Sequence, residues 1–344
     1  MKSFRHIITG ISLLFIALGT VSTVSAQDEA RNQAINMFNN AQDLAGANEF
    51  ENAIDLYRDA LNMANENGFQ DIVDLVTNQL PKVYSSRASS AYKTYQSERS
   101  LESVNRAIEY YSEAQEVAEE FGDDQVRDNA RAAIPQLHYI KSVLQFRAEN
   151  YEGAIESLDT AINLNSNYAT AYYQKAVVLK KMNPNDIEPA MEWYDRAIEV
   201  GEMVQDNRTV QNAREGAAEE LIYRAVNLAE NRNFDQAIEY LNRVENYQSQ
   251  SADAHYRLAE IYNQRGNWEN ALTHSNRALE LEGGGVVAQA KIYFELGTAF
   301  KGMGQVNNAC DAFENATYGD FSGPANHELE FELKCEGYAS ASGS

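Results

Sequence analysis

The residues of this chain that could do chemistry are few and far apart. Among 344 residues there are two cysteines, Cys310 and Cys335, and five histidines. Two thiols can close one disulfide, but they do not make the paired-cysteine spacing of a zinc site. Along the chain, His274 and His327 have no companions at ligand spacing, and a metal site needs several ligands that converge. The sequence holds no His-Glu-x-x-His, no Gly-x-Ser-x-Gly and no phosphate-cradling glycine loop. The residues therefore predict no catalytic constellation, no metal and no cofactor, and the chain is expected not to be an enzyme. What remains is a large set of aromatic side chains, whose use depends on the elements that carry them.

Those elements repeat. In Arg265–Gly284, a turn signal, Gly266-Asn267, is followed by Trp268 and then by Ala271 and Ala278. Residues seven apart lie two turns along one helix face, so small residues at both positions let another helix approach closely. The same pattern, an alanine followed by an apolar residue with a large residue usually four later and a small one seven later, occurs at Ala53, Ala107, Ala154, Ala190, Ala237, Ala271 and Ala309. The steps are 54, 47, 36, 47, 34 and 38 residues, a repeat with insertions. Most copies follow a polar turn and an aromatic or apolar residue: Asn48-Glu49-Phe50, Glu149-Asn150-Tyr151, Arg232-Asn233-Phe234, Gly266-Asn267-Trp268 and Gly304-Gln305-Val306. Ahead of each turn lies a second amphipathic stretch, as in Ala252–Tyr262 and Lys291–Phe300. Each unit is thus predicted to be helix, short turn, helix.

At these residues the chain resembles the tetratricopeptide repeat family, whose first helix carries an aromatic, then Leu-Gly, then Tyr, and whose second carries Ala-x-x-x-Phe. The last copy matches nearly throughout, with Tyr293, Leu296, Gly297, Phe300, Ala309 and Phe313. The sixth departs at Ser275, and the third departs further, with Ser142 and Gln145 where a small and an aromatic residue are expected. The resemblance covers about residues 30–318 and implies an all-α, right-handed superhelical solenoid of about seven repeats. Pro81 and Pro135 follow helical stretches, and a proline kinks a helix or marks a new N-terminus; the first helices of repeats two, three and five are expected to be long. In this frame Asn183-Pro184-Asn185 adds two residues to the turn of repeat four. His138 and His255 fall where repeats four and seven carry Tyr172 and Tyr293, and read as packing rings. Gly283–Gly285 lies between repeats six and seven as a linker or helix cap.

The ends and the charge bound where such a protein works. Met1–Ala26 has a basic start, an apolar run over Ile7–Val21 and Val24-Ser25-Ala26 before Gln27, which reads as a signal peptide cleaved after Ala26. Residues 1–26 are then the signal peptide, 27–318 the solenoid, and 319–344 a C-terminal cap and tail. The mature chain is expected to be exported, periplasmic or secreted, with no membrane span. Loss of Lys2 and Arg5 would leave 26 basic against 51 acidic residues, moving the net charge from −23 to −25. Nucleic acid is an unexpected partner for such a chain, since polyanion binding needs clustered Lys and Arg. The acids are scattered through helix-like segments, as in a solvated surface.

In an exported chain Cys310 and Cys335 are expected to pair. Cys310 belongs to the stripe of the last second helix that would face a further repeat; none follows, and Ser322–Cys335 is the natural cap, expected as a helix after Pro324 although Leu329, Phe331, Leu333 and Cys335 alternate like a strand. The resemblance also implies a groove lined by the first helices, into which the slot after each first large aromatic points. That slot holds Phe38, Tyr139, Tyr173, Tyr256 and Phe294, with Ile222 as the aliphatic exception and Gln42, Gln174, Glu260, Asn263 and Thr298 around them. These rings either receive a neutral or basic, partly apolar protein segment or fill space between adjacent first helices. The function implied is a non-enzymatic protein-binding scaffold of the bacterial envelope, with a structural subunit of an envelope complex as the alternative. A solute-binding protein or enzyme on the same scaffold is the remaining class.

Overall fold

The computed structural model describes residues 12–338, with side chains from Ala26. The first eleven residues of the expected signal peptide and residues 339–344 of the expected tail lie outside it. Every regular element among the described residues is helical. The chain divides into two compact units at Met182/Asn183. The first holds α1 (Ser12–Gly46), α2 (Phe50–Asn67), α3 (Gln70–Glu98), α4 (Leu101–Phe121), α5 (Asp124–Arg147), α6 (Tyr151–Leu164) and α7 (Ala169–Met182). The second holds α8 (Glu188–Val204), α9 (Asn207–Glu230), α10 (Phe234–Arg243), α11 (Ala252–Gln264), α12 (Trp268–Leu281), α13 (Val286–Gly302), α14 (Val306–Asn315) and a short α15 (Ser322–His327). The two helices expected for the fourth repeat, α7 and α8, thus belong to different units.

The turns inside the repeats share one construction. Asn48, Glu149, Arg232, Gly266 and Gly304 all take positive φ, between 58° and 73°. The next residue's N–H then donates back to the carbonyl five residues earlier: Glu49 to Leu44 at 2.9 Å, Asn150 to Gln145 at 2.9 Å, Asn233 to Leu228 at 2.8 Å, Asn267 to Tyr262 at 2.9 Å and Gln305 to Phe300 at 2.9 Å. This is the Schellman closure, which satisfies last-turn carbonyls. The following helix starts at once: the side chains of Asn150 and Asn267 accept from the N–H groups of Gly153 and Asn270. The polar pair read in sequence as a turn is therefore the end of one helix and the cap of the next.

Between paired helices the small residues do what their spacing predicts. In the first unit Ala53, Tyr57, Ala60 and Ala64 are buried against α1 and α3. In the second, a Cβ added at Gly297 of α13 would lie 2.9 Å from the Phe313 ring of α14. Where the third copy departs, the interface is polar instead: Gln145 of α5 and Ser157 of α6 hydrogen-bond at 2.6 Å, and the buried Ser142 donates to the Tyr139 carbonyl at 2.6 Å. The first helices α3, α5 and α9 are long, 29, 24 and 24 residues, against 13 and 17 in α11 and α13. Pro81 and Pro135 sit inside α3 and α5, which continue through them.

At the C-terminal end α15 passes into one π turn, Glu328–Glu332. Ala325 and Leu329 bury against Ala309, Phe313 and Ala316. Cys335 returns to Cys310 of α14, to which it is disulfide-bonded with a Cα–Cα distance of 5.9 Å. Lys301 of α13 adds an ion pair to Glu328 at 2.6 Å.

Candidate partner-binding face

Each of the five slot rings is committed at least in part within its own unit. Phe38 meets Tyr57 edge-on with centroids 5.5 Å apart, and Tyr139 packs against Tyr168 at 5.5 Å. Tyr173, on α7, lies near enough to Tyr139 to help burial raise that phenol's pKa. Phe294 meets Phe313 and Phe321, each at 5.4 Å. Tyr256 is only 6% exposed, with the Arg257 guanidinium 4.9 Å and the Lys291 ammonium 4.6 Å from its centroid. For Tyr256 the space-filling alternative describes the structure: adjacent first helices stand far enough apart that a ring at this slot closes the gap. The other four stay half-buried.

The second unit provides the better-built surface. There α11 packs beside both α9 and α13. Asp253 pairs with Lys291 at 3.1 Å and Arg257 with Glu260 at 3.0 Å. Asn263, buried on α11, donates to both the backbone carbonyl and Oε2 of Glu295, each at 2.8 Å. Burial pushes the Glu295 carboxyl up to about 7; Glu260 adds to the rise, while the Asn263 hydrogen bond and Arg257 oppose it. Between α9 and α11 lies a cavity of about 100 Å³ with apolar walls, Val226, Ala229 and Ile261, and a polar rim of Glu230, Arg257, Glu260 and Gln264. Beside it Arg257 Nε and Asn263 Oδ1 are buried without a hydrogen-bond partner. Such groups retain the full cost of desolvation until a partner arrives.

Of the expected lining, Glu260 and Asn263 belong to this surface, and Thr298 bonds back to the Phe294 carbonyl at 2.9 Å. Arg257 and Glu295 were not anticipated. Both stand one position after a slot ring, Tyr256 and Phe294, so adjacent first helices carry opposite charges at equivalent positions, a signal present in the sequence.

A second polar feature lies on the other side of α11. His255 and His274, 19 residues apart, meet Nδ1 to Nδ1 at 3.0 Å across α11 and α12. Tyr262 lies nearly parallel to the His274 ring, 13° off with centroids 5.5 Å apart. Burial, then His255, lowers His274 to about 4, and burial lowers His255 as well. A cavity of about 90 Å³ opens beside the pair. Among the described residues no three His, Cys, Asp or Glu side chains converge as a metal site, and no helix is long and apolar enough to cross a membrane.

Two family models match the chain: tetratricopeptide repeat protein 21 ARM repeat over residues 125–273, and tetratricopeptide repeat over residues 290–318. With the helix pairs described above, they support a tetratricopeptide-repeat protein, a class whose repeats generally mediate protein–protein interactions. Among solved structures it is similar to MamA, at 16% identity and TM-score 0.34, covering 59% of this chain and 95% of that one. It is also similar to YrrB, described as a TPR protein with an unusual peptide-binding site, at 18% identity and TM-score 0.33, covering 58% and 92%. A tetratricopeptide repeat protein from Parabacteroides merdae matches at 12% identity and TM-score 0.28, covering 88% and 98%. No curated protein matches in sequence.

Proposed function

We propose that this chain is a non-enzymatic binding scaffold of the bacterial envelope, exported by cleavage after Ala26, and that the α9–α11–α13 face of its second unit holds a segment of a protein partner. The observation that carries this reading is the cavity between α9 and α11, apolar inside and rimmed by Glu230, Glu260, Arg257 and Gln264. Its apolar walls call for one aliphatic or aromatic side chain. Its rim, with Asn263 Oδ1 and Arg257 Nε unsatisfied alongside, calls for backbone or side-chain hydrogen bonds. The acids around it and the chain's net charge of −23 favour a neutral or basic segment over nucleic acid or an acidic peptide.

The test is capture of the exported chain with its partner from its own envelope, followed by affinity measurement with Ala229→Tyr, which fills the cavity. Weakening of roughly tenfold or more at unchanged melting temperature is expected; undiminished affinity refutes the assignment. The alternative, a structural subunit, is supported by the exposed Val286, Val287 and Tyr318 near the start of α13. If Val287→Asp abolishes capture while Ala229→Tyr does not, that reading replaces the first.

A further inference from the structure

We propose that His255 and His274 form a two-imidazole binding site for a late divalent transition ion, Cu(II) before Zn(II). The site is built by the helix pair. The turn at Gly266-Asn267 sets α12 antiparallel to α11, and that register brings Nδ1 of His255 to 3.0 Å from Nδ1 of His274. In the structure the contact is a hydrogen bond, one ring donating and the other accepting. If the donating ring moves its proton to Nε2 through solvent, two lone pairs face each other, and a cation can take the place of the shared proton with no net change in proton count.

The separation lies close to two coordination geometries. Two metal–imidazole bonds of about 2.0–2.1 Å hold their nitrogens about 2.9 Å apart at a right angle, but about 3.4 Å apart at the tetrahedral angle. The observed 3.0 Å is a hydrogen-bond distance between rings that meet nearly end-on, so each ring turns about χ2 to aim at one ion, and Cu(II) leads the affinity order for nitrogen ligands. Tyr262 lies against the His274 ring, while the His255 and His274 rings meet nearly end-on with centroids 5.2 Å apart. The adjoining cavity of about 90 Å³ supplies room for water on the remaining positions, with Glu245, Gln248, Ser249 and Ser251 as oxygen-bearing neighbours. Arg277, a nearby cation, is itself paired with Glu280 at 2.8 Å. With no third His, Cys, Asp or Glu converging among the described residues, the site is an open chelate, accessible to solvent and exchangeable.

The experiment titrates the untagged, exported chain with Cu²⁺ alone in a non-chelating buffer, reading stoichiometry by calorimetry and ligation by electron paramagnetic resonance. One equivalent of Cu(II) bound through two nitrogens is expected. His274→Gln and His255→Tyr should each weaken it by at least the roughly 10–100-fold that loss of even an outer-shell partner costs. His255→Tyr guards against misfolding, because it installs the ring type that Tyr293 provides at the equivalent place on α13, and circular dichroism checks the fold. His327→Gln, on the exposed cap, should change nothing. Absence of a two-nitrogen signal, binding retained in both pair variants, or equal loss in His327→Gln overturns the proposal.

Discussion

Replacing Glu295 by Gln should stabilise the second unit at neutral and alkaline pH, and do so less as the pH falls. Glu295 is held by α13 against Arg257, Glu260 and Tyr256 of α11, with Lys291 one turn back on its own helix. Its carboxyl titrates at about 7 in the fold, raised from 4.5 first by burial. Between those values the folded state holds more protons than the unfolded chain, so stability is highest below about 4.5 and falls as the pH rises through 7. The displacement amounts to about 3 kcal/mol at most. Glutamine removes the ionisation and can still accept from Asn263 Nδ2; its own amide can donate to Asn263 Oδ1, which has no partner. Both tryptophans, Trp193 and Trp268, lie in the second unit, so urea unfolding followed by fluorescence reports on it. The free energy of Glu295→Gln minus wild type should be near zero or slightly positive at pH 5 and rise by about 2–3 kcal/mol by pH 8.5. A difference flat with pH to within about 0.5 kcal/mol would refute the buried-carboxyl argument.

Gly297→Ala drives a Cβ into the Phe313 ring and should cost about 1–3 kcal/mol, read as a lowered melting temperature; a neutral result would show that α13 and α14 separate easily. Arg87 of α3 is 6% exposed, lies over Tyr84 at 4.8 Å and Tyr110 at 4.1 Å, and pairs with Glu51 and Glu113. Arg87→Ala should destabilise the first unit by about 2 kcal/mol, with Arg87→Lys intermediate because it keeps charge but not stacking; urea melts in which lysine and arginine are equal would dismiss the stacking. Reduction of Cys310–Cys335, closing a separation of 25 residues, should loosen the cap by about 3 kcal/mol. Thiol titration of unfolded, unreduced protein should find no free thiol, and two free thiols would end that expectation.

The helix pairs were legible because each is written twice, once as the spacing of small and large residues such as Ala309 and Phe313, and once as the turn signal that precedes it. The helical cap at Pro324 was legible through elimination: its alternating apolar residues had no sheet to join, and the structure winds Leu329 and Phe331 into a π turn that continues α15, with Leu333 and Cys335 beyond it. The division at Asn183 was not, since an Asn-Pro-Asn insertion reads as a longer turn and carries no sign of a weaker boundary. The candidate face was half legible. Lining residues such as Glu260 follow from repeat register, but whether a ring like Tyr256 is covered depends on the distance between neighbouring first helices, which no single repeat encodes. The histidine pair was invisible for a related reason: residues 19 apart meet only because α12 runs back along α11 at one particular register.

The closure at the C-terminus has a directional consequence. In a repeat array each element leans mainly on its neighbours, so unravelling begins at an end. Here one end is tied: Cys335 cannot leave without carrying α14 along, whereas the helix that begins the first unit has no such tie among the described residues. A protease, an unfoldase or a pulling force should therefore consume the folded array from its N-terminal side. Limited digestion should leave fragments that keep the C-terminus, and adding reductant should remove that polarity.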